Sequence, residues 1–379
     1  MAIRTAIGLM SGTSLDGIDA ALLKTDGEDV VELGPALSQP YSRAVKVFIR
    51  RAIKAALERR DTAKDVADAE LAVTKAHIEA VRTLLERADL AAQDIDVIGF
   101  HGQTILHRPA SLTGEIGRTW QIGDGPLLAQ ETGIDVVSDF RSADVAAGGE
   151  GAPFAPIYHR ALAQGYAATE NITGPVAILN LGGVANITFA PSSGCNLDLV
   201  AFDCGPGNGL IDEWMEQKTG DPIDKDGKAA ACGHVNDEAL RLLLLNPFLK
   251  RPAPKSLDRY DFKLEPVKAL SLTDGAATLT AFTAACIARA QDLLPEPPAV
   301  WVVAGGGRRN PSLMASLRQA LDAPVYGADD VGWRGDDLEA ECFAYLAVRS
   351  LDRKPLSFPK TTGVPHAMTG GVLNKTVSR

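Results

Sequence analysis

Residues 6–27 read AIGLMSGTSLDGIDAALLKTDG, and this stretch decides the fold. Two apolar runs, at 6–10 and 18–23, flank a small polar turn at 11–14, which predicts two strands joined by a hairpin. Small turn residues let a phosphate approach backbone N–H groups, and the carboxylates of Asp16 and Asp19 suit Mg²⁺. Gly, Ser, Thr and Asp are also common in ordinary turns. The stretch alone therefore fits a phosphate site and a plain hairpin equally well.

Composition narrows the class of protein. The chain has 379 residues, which is long enough for two domains. Its net charge of −10 argues against a general nucleic-acid binder. Its five cysteines are widely spaced and form no CxxC pair, so we expect free thiols in a reducing compartment. No signal peptide is evident, and no apolar run reaches the ~18 residues of a membrane span. We expect a cytoplasmic protein without nucleic-acid or membrane partners.

Strand and helix patterns alternate along the rest of the chain, which predicts an α/β fold. The strand-turn-strand rhythm returns at 176–189, with Gly182 and Gly183 as the turn, and suggests one long-range duplication. A Gly/Pro-rich stretch at 144–156 is a candidate hinge between two lobes. We predict an N-terminal lobe of residues 1–137, with 352–379 packed on it, and a C-terminal lobe of residues 138–351.

Four glycine-containing turns follow apolar strands, at 11–14, 182–183, 204–208 and 305–307. Ligands of α/β folds gather at the carboxyl ends of strands, so four such turns suggest two lobes that clasp a nucleotide. Neither a Walker A sequence nor a GxGxxG fingerprint is present. Two of these turns also have a plain structural interpretation: 182–183 as a hairpin turn, and 305–307 as a loop leading into the helix after Asn310.

Six segments in order carry a specific resemblance: GLMSGTSLDG at 8–17, HGQT at 101–104, DFR at 139–141, AAGGEGAP at 146–153, NLGGVAN at 180–186 and FDCGPGN at 202–208. The chain resembles the anhydro-N-acetylmuramic acid kinase family of the actin/hexokinase/Hsp70 superfamily, from about residue 6 to residue 351. The resemblance implies two ribonuclease-H-like lobes around a central ATP and substrate cleft. It implies an enzyme that uses ATP and Mg²⁺ to open the 1,6-anhydro ring by hydrolysis and to phosphorylate O6, in recycling of peptidoglycan. It also implies a homodimer.

Asp203 is the candidate catalytic residue. It ends an apolar strand before a Gly-Pro-Gly turn, where a carboxylate can take a proton from water. The implied reaction needs such a base, because a water must attack the anomeric carbon as the anhydro bridge breaks. The structural alternative is an Asp that caps the helix predicted near Leu210.

The resemblance also implies binding residues. Those for nucleotide and phosphate are Ser11, Gly12, Thr13, Ser14, Leu15, Asp16, Gly17, Gly182, Gly183, Gly205, Gly305, Gly306 and Gly307, with Asp16 a partner of Mg²⁺ directly or through water. Those for the sugar are His101, Gln103, Arg141, Asn186 and Glu339. Arg141 suits the lactyl carboxylate of muramic acid, but a salt bridge with Asp139 or Asp144 is an alternative. His101 and Glu339 are equally compatible with a buried structural histidine and a helix-face charge.

Some segments depart from the family pattern. Glu150 stands where the family usually has Gln, residues 254–259 read PKSLDR in place of PKSTGR, and residues 331–336 replace a Pro-rich turn. Asp224 and Asp226 resemble a family segment near the sugar but equally suit a solvated turn. Residues after about 352 show no readable feature. Two other functions remain open: a simple sugar kinase, and an ATP-driven binding protein of the actin or Hsp70 kind.

Overall fold

The computed structural model describes residues 2–58, 63–109, 117–192, 196–257 and 261–376. It divides into two compact units, the first of Met1–Gly165 with Asp337–Arg379 and the second of Tyr166–Asp336. Each unit has one mixed β-sheet with helices packed on it. The predicted α/β class is therefore confirmed.

The first unit contains a seven-stranded sheet in the order β12-β6-β4-β1-β2-β3, with β5 paired to β4. Strands β1, β2 and β3 form an antiparallel meander, whereas β4 lies parallel to both β1 and β6. The strands are β1 (Arg4–Ser11), β2 (Gly17–Thr25), β3 (Val30–Pro40), β4 (Val97–Arg108), β5 (Arg118–Ile122), β6 (Val136–Ser138) and β12 (Val372–Asn374).

The second unit contains a five-stranded sheet in the order β11-β10-β7-β8-β9. Its first three strands are again an antiparallel meander, and β10 is again parallel to both of its neighbours. The two units thus repeat one strand order and one set of strand directions, so the duplication predicted from the strand-turn-strand rhythm is confirmed. The strands are β7 (Val176–Leu181), β8 (Val184–Ala190), β9 (Val200–Pro206), β10 (Val300–Ala304) and β11 (Val325–Gly327).

Helices cover the sheets through apolar faces. In the first unit α1 and α2 bury residues such as Ile49 and Val81 against Ile7 and Phe100 of the sheet. In the second unit α9 packs on the sheet through Ile287. The helices are α1 (Arg43–Glu58), α2 (Ala63–Ala88), α3 (Gly125–Thr132), α4 (Ser142–Ala146), α5 (Ala155–Glu170), α6 (Gly209–Thr219), α7 (Lys228–Ala231), α8 (Asp237–Leu243), α9 (Leu272–Ala290), α10 (Pro311–Ala320) and α11 (Leu338–Leu351).

Helix α11 lies directly on the centre of the first sheet. A Cβ atom built on Gly8 would be 1.8 Å from the carbonyl oxygen of Ala340, and one on Gly99 would be 1.9 Å from that of Phe343. Only glycine permits such a close approach of helix to strand. The opening segment and a helix more than 300 residues later therefore form one unit.

The division between the units differs from the predicted lobes of residues 1–137 and 138–351. Helices α4 and α11 belong to the first unit, together with most of α5. The reason is long-range packing, since α11 contacts β1, β2 and β4. The stretch 144–156, predicted as a hinge between lobes, begins within α4 and lies wholly inside the first unit. Residues 352–376 are grouped with the first unit, where β12 pairs with β6.

Two of the motif segments lie within strands. Strand β4 extends from Val97 to Arg108 because its distal half pairs with β5, so His101–Thr104 lie within β4. Likewise β9 continues from Asp203 through Pro206 because it pairs with β8 up to Val184. Among the described residues, no helix is long and apolar enough to cross a membrane.

Candidate functional site

The turn between β1 and β2 has an accessible tip. Gly12 is half-buried, Thr13 and Ser14 are exposed, and the Leu15 amide donates to the Gly12 carbonyl at 3.3 Å. Gln103 stabilises the turn. Its side chain is fully buried, and its Nε2 donates to the Gly12 carbonyl at 3.1 Å. Gln103, predicted to bind sugar, therefore supports the predicted phosphate turn.

Three other members of the predicted phosphate turn are structural. The Ser11 side chain is buried, and its Oγ donates to the Gly102 carbonyl at 3.0 Å. Leu15 is part of the hydrophobic core. A Cβ on Gly17 would lie 2.3 Å from the carbonyl oxygen of Gln39, so glycine is needed there for pairing with β3. Their places inside the sheet and core leave 12–14 as the exposed part of the turn.

Asp16 has an exposed side chain beside this turn, and its carbonyl accepts from the Tyr41 amide at 3.0 Å. In the described part of the chain, no group of three or more His, Cys, Asp or Glu is arranged to hold a metal ion. Mg²⁺ in kinases is usually held by one or two carboxylates, waters and substrate phosphates. A single accessible carboxylate beside a phosphate turn fits that pattern.

Arg141 and His101 form a hydrogen-bonded pair in the first unit. Nδ1–H of His101 donates to the Gly102 carbonyl at 2.8 Å, which leaves Nε2 as an acceptor. Nε and Nη2 of Arg141 donate to that Nε2 at 3.1 and 3.0 Å. Burial, reinforced by the Arg141 charge, holds the pKa of His101 well below its ordinary value. His101, predicted to contact sugar, is buried and neutral, and orients Arg141.

Arg141 has neither of the salt bridges considered as alternatives. Asp139 accepts instead from the Ser142 amide at 3.3 Å, and Asp144 accepts from the Gly151 amide at 2.7 Å. The third donor of Arg141, Nη1, bonds to the Gly151 carbonyl at 2.6 Å. Burial lowers the pKa of the guanidinium. Within the described residues Arg141 is therefore a cation held by neutral acceptors, which is an arrangement suited to an incoming carboxylate.

Glu339 lies in the first turn of α11 with an exposed side chain. Desolvation by the surrounding protein raises its pKa, the Arg141 charge opposes that change, and Asp19 adds to it. Asp19 in turn accepts a hydrogen bond from the Ser38 hydroxyl. The fold thus brings His101, Arg141 and Glu339 together at one place in the first unit, although they are far apart in sequence.

In the second unit, Asp203 belongs to a row of polar side chains across three strands. Asn186 pairs with Asn180 on β7 and with Asp203 on β9, so the three side chains lie on one face of the sheet. The opposite face is apolar and contributes Leu179, Ile187 and other residues to the core. Asn180 was not predicted as a site residue. A hairpin centred on Gly182 and Gly183 pairs Asn180 with Asn186. The position of that turn in the sequence could therefore have identified Asn180 as a site residue.

Asp203 is not a helix cap. Asn208 occupies the position before α6, and the Asp203 Oδ2 accepts from the Leu257 amide at 2.8 Å. Among the described residues its Oδ1 receives no hydrogen bond from protein. Desolvation raises the pKa of Asp203 to about 6, while the Leu257 amide and the Lys255 charge limit the rise. One oxygen is therefore fixed, and the other is available to a water or substrate.

The segment that departs from the family at 254–259 is what holds Asp203. The Asp203 amide donates to the Lys255 carbonyl at 2.9 Å, and Lys255 Nζ lies 4.7 Å from the centre of the Phe248 ring. Position 257 acts through its backbone amide, so Leu in place of Thr preserves that hydrogen bond. Asp258 and Arg259 lie outside the described residues.

The Gly182–Gly183 turn rests on the Gly-Pro-Gly segment. The amides of Gly207 and Gly209 donate to the Gly183 carbonyl at 3.0 and 3.1 Å, and the Asn208 amide donates to the Gly182 carbonyl at 2.8 Å. A Cβ on Gly183 would meet nothing within 4 Å. The turn is thus braced through its carbonyls and open on its other side, which leaves room for a ligand.

The remaining predicted glycines differ in their exposure. Gly205 is buried inside β9, where a Cβ would lie 2.8 Å from Cβ of Cys286, so its role is packing against α9. A Cβ on Gly305 would lie 2.4 Å from Oδ1 of Asn180, and one on Gly307 would lie 2.6 Å from Oδ1 of Asn208. Gly306 is exposed and nearly uncrowded. It is the one member of the triple glycine with a free surface.

Arg308 anchors the triple glycine and was not predicted. Its Nη1 donates to the Gly305 carbonyl at 3.0 Å, and its guanidinium pairs with Asp329 and Asp336 at 2.7 and 2.9 Å. A Cβ on Gly335 would lie 2.3 Å from its Nε. Asp336 and Gly335 belong to the altered segment 331–336, so that segment braces this loop. No local signal marks Arg308, because its carboxylate partners, Asp329 and Asp336, are more than 20 residues away.

Asp224 accepts hydrogen bonds from backbone amides, and the backbone amide of Glu150 donates one. Asp224 is buried, and its carboxylate accepts from the amides of Ala229 and Ala230 at 2.8 and 3.0 Å. It therefore caps α7, while exposed Asp226 pairs with Lys228. The Glu150 amide donates to the Thr362 carbonyl at 2.7 Å.

The chain matches a known protein family over almost its whole length. The family model for anhydro-N-acetylmuramic acid kinase matches residues 4–376. The anhydro-N-acetylmuramic acid kinase of Rhizorhabdus wittichii is 51% identical over 372 residues, covering 98% of each chain. That of Methylobacterium nodulans is 50% identical over 380 residues, covering 97% of this chain and 98% of the relative. The chain belongs to the anhydro-N-acetylmuramic acid kinase family.

Among solved structures, the Acidaminococcus fermentans (R)-2-hydroxyglutaryl-CoA dehydratase component A is similar with a TM-score of 0.44 and 14% identity, covering 91% of this chain and 99% of that one. Similarity at this level supports no inference about activity.

Proposed function

We propose that this protein is an ATP-dependent kinase that opens the 1,6-anhydro ring of anhydro-N-acetylmuramic acid by hydrolysis and phosphorylates O6, in the recycling of peptidoglycan. Membership of the family named for this activity supports the proposal. The observation that carries its chemistry is the state of Asp203, with Oδ2 held by an amide and a pKa of about 6. Such a carboxylate is ionised at neutral pH yet binds a proton more strongly than an ordinary aspartate.

In the hydrolytic step, the ionised Asp203 takes a proton from a water while that water's oxygen attacks the anomeric carbon. A C1–O bond forms, the C1–O6 bond breaks, and its electron pair goes to O6. The hydrogen bond from the Leu257 amide keeps the carboxylate oriented during this transfer.

In the phosphoryl step, O6 attacks the γ-phosphorus of ATP and ADP leaves. The exposed turns at 12–14 and 182–183, together with Gly306, are the proposed contacts of the phosphates and nucleotide. Asp16 is the proposed carboxylate partner of Mg²⁺, which when bound neutralises phosphate charge. These residues position the phosphates, because phosphoryl transfer depends mostly on alignment and charge stabilisation.

Arg141 is the proposed contact of the lactyl carboxylate, which distinguishes muramic acid from other amino sugars. Support comes from its neutral partners, His101 Nε2 and the Gly151 carbonyl, which orient the guanidinium without cancelling its charge. Glu339 and Asn186 are proposed partners of sugar hydroxyl or amide groups. We also propose that the enzyme works in the cytoplasm and forms a homodimer. Sedimentation of the purified protein directly tests whether it is a dimer.

The activity is tested by incubating the protein with ATP, Mg²⁺ and anhydro-N-acetylmuramic acid while following ADP and product mass. A product heavier by one phosphate and one water supports the proposal. A product heavier by phosphate alone indicates a simple sugar kinase, and the absence of sugar-dependent ADP indicates a nucleotide-driven binding protein.

A further inference from the structure

Asp144 is a buried carboxylate in α4 that takes no direct part in the proposed site. It is 1% exposed and accepts three hydrogen bonds. The Gly151 amide donates to its Oδ1 at 2.7 Å, and the hydroxyls of Ser357 and Thr362 donate to its Oδ2 at 2.5 and 2.6 Å. A carboxylate with several short hydrogen bonds is a rigid fixed point within a fold. Asp144 thus connects the loop after α4 to the C-terminal segment.

The same C-terminal segment contacts the loop at two further positions. The Glu150 amide donates to the Thr362 carbonyl at 2.7 Å. A Cβ on Gly149 would lie 2.2 Å from the Asp144 Oδ1 and 2.5 Å from Cγ1 of Val364, so the loop passes tightly between them. Residues 149–151 are therefore held on one side by Asp144 and on the other by residues 362–364.

Gly151 transmits this restraint to Arg141. Its amide bonds to Asp144, while its carbonyl accepts from Nη1 of Arg141 at 2.6 Å. That carbonyl and His101 Nε2 are the two acceptors that orient the guanidinium. A movement of Gly151 would therefore rotate Arg141 or leave one of its buried donors without a partner, which is costly.

We infer that Asp144, with Ser357 and Thr362 of the C-terminal segment, is a positioning residue that sets the orientation of Arg141 and thereby the selectivity for a sugar bearing a carboxylate. The inference rests on the proposed function and extends it to a segment outside the six motifs that carry the resemblance. It assigns residues 357–362 a part in substrate selection, although none of them is proposed to touch the sugar.

The test compares the Kd values, measured by calorimetry, of anhydro-N-acetylmuramic acid and 1,6-anhydro-N-acetylglucosamine, which lacks the lactyl group. We expect Asp144→Asn to reduce the preference for the lactyl sugar by about tenfold, with the affinity for the second sugar nearly unchanged. Thr362→Val and Ser357→Ala keep the carboxylate and each remove one donor, so each should reduce the preference by a few-fold. These milder variants keep the inference testable if Asp144→Asn does not fold.

Ser350→Ala is the matched control. Its Oγ donates to the Gly370 carbonyl at 2.7 Å, so the change also loosens the C-terminal segment, but away from the Asp144 loop. It should leave the sugar preference unchanged. An equal loss of preference in Ser350→Ala would show general loosening and overturn the inference.

Arg141→Ala separates this inference from the proposed function. If wild type binds neither sugar, the proposed function fails. If Arg141→Ala loses the preference while Asp144→Asn keeps it, the Asp144 inference alone is overturned. If Asp144 acts through Arg141, then Asp144→Asn in the Arg141→Ala background should produce no further loss of preference, and additive effects would contradict it.

Discussion

His101 Nε2 accepts hydrogen bonds from both Nε and Nη2 of Arg141, at 3.1 and 3.0 Å. The histidine is kept neutral by burial and by the adjacent charge, and its tautomer is set by the bond from Nδ1 to Gly102. A neutral acceptor orients the guanidinium without an opposing charge. Arg141 thus keeps its electrostatic attraction for an anionic ligand.

Replacing Arg141 should weaken binding of the sugar and spare that of ATP. Arg141→Lys keeps a positive charge but loses the planar fork that bonds to His101 and Gly151, so we expect the sugar Kd to rise about tenfold, and more for Arg141→Ala. His101→Phe keeps the ring contact with Phe343, whose centroid lies 4.6 Å away, and removes the acceptor. It should raise the sugar Kd in the same direction.

Arg82→Ala is the control for these variants, because Arg82 is an exposed arginine paired with Glu79 and Glu131. Calorimetry with each ligand is the measurement. An unchanged sugar Kd in Arg141→Ala would remove Arg141 from substrate binding.

Asp203 should give the reaction a pH dependence with a midpoint near 6. The residue must be ionised to accept a proton, so kcat/KM should fall as pH decreases through its pKa of about 6. Asp203→Asn should abolish turnover while ATP binding persists, since the amide oxygen still accepts from Leu257 but cannot take up a proton. Turnover at a substantial fraction of the wild-type rate in this variant would exclude Asp203 as the base.

The same substitution should stabilise the fold at alkaline pH. The pKa of Asp203 is raised above its unfolded value, so its protonated form favours folding, and that contribution is lost as pH increases from about 4 to 6. At pH 8, Asp203→Asn should gain about 3 kcal/mol relative to wild type, with little gain at pH 4. Urea unfolding at both pH values measures this, and an equal effect at pH 4 and pH 8 would argue against the raised pKa.

Gly8→Ala should prevent folding or cost more than about 3 kcal/mol, because the new methyl group would overlap the Ala340 carbonyl. Gly165→Ala is the matched control. Gly165 is an exposed glycine within α5, and a Cβ there meets nothing within 4 Å. It should stabilise the protein by about 0.5–1 kcal/mol. Thermal unfolding distinguishes the two, and a Gly8→Ala protein as stable as wild type would contradict the close packing of α11 on β1.

Acid should destabilise the protein through its buried histidines. Burial lowers the pKa of His77 and of His159 to about 4. The unfolded state takes up protons first, so stability falls as pH decreases from about 6.5 to about 4, by about 2 kcal/mol for each histidine at pH 5. His77→Leu should reduce the difference between urea midpoints at pH 7.5 and pH 5.

The exposed His366 provides the control, and His366→Leu should leave that difference as in wild type. If the two leucine variants behave alike, burial of His77 does not govern the acid sensitivity.

Much of the fold followed from local patterns. The hairpin at 6–27 and its repeat at 176–189 were readable because alternating apolar runs around small-residue turns specify strands within a few residues. The strand that carries Asp203 was also readable, since its motif is continuous in sequence, but its continuation to Pro206 was not. The roles of Ser11 and Gln103 were not, because whether a polar side chain meets a ligand or supports a backbone depends on which strand lies beside it.

By itself, the sequence determined the α/β class, the duplicated strand pattern and the family to which the chain belongs. Tertiary structure alone decided that α11 rests on Gly8, that His101 serves Arg141, and that Asp144 binds residues near the C-terminus. The physical reason is the same in each case. Backbone conformation responds to neighbours a few residues away, whereas burial and hydrogen-bond partners depend on contacts between segments 40 to more than 300 residues apart, which no local pattern records.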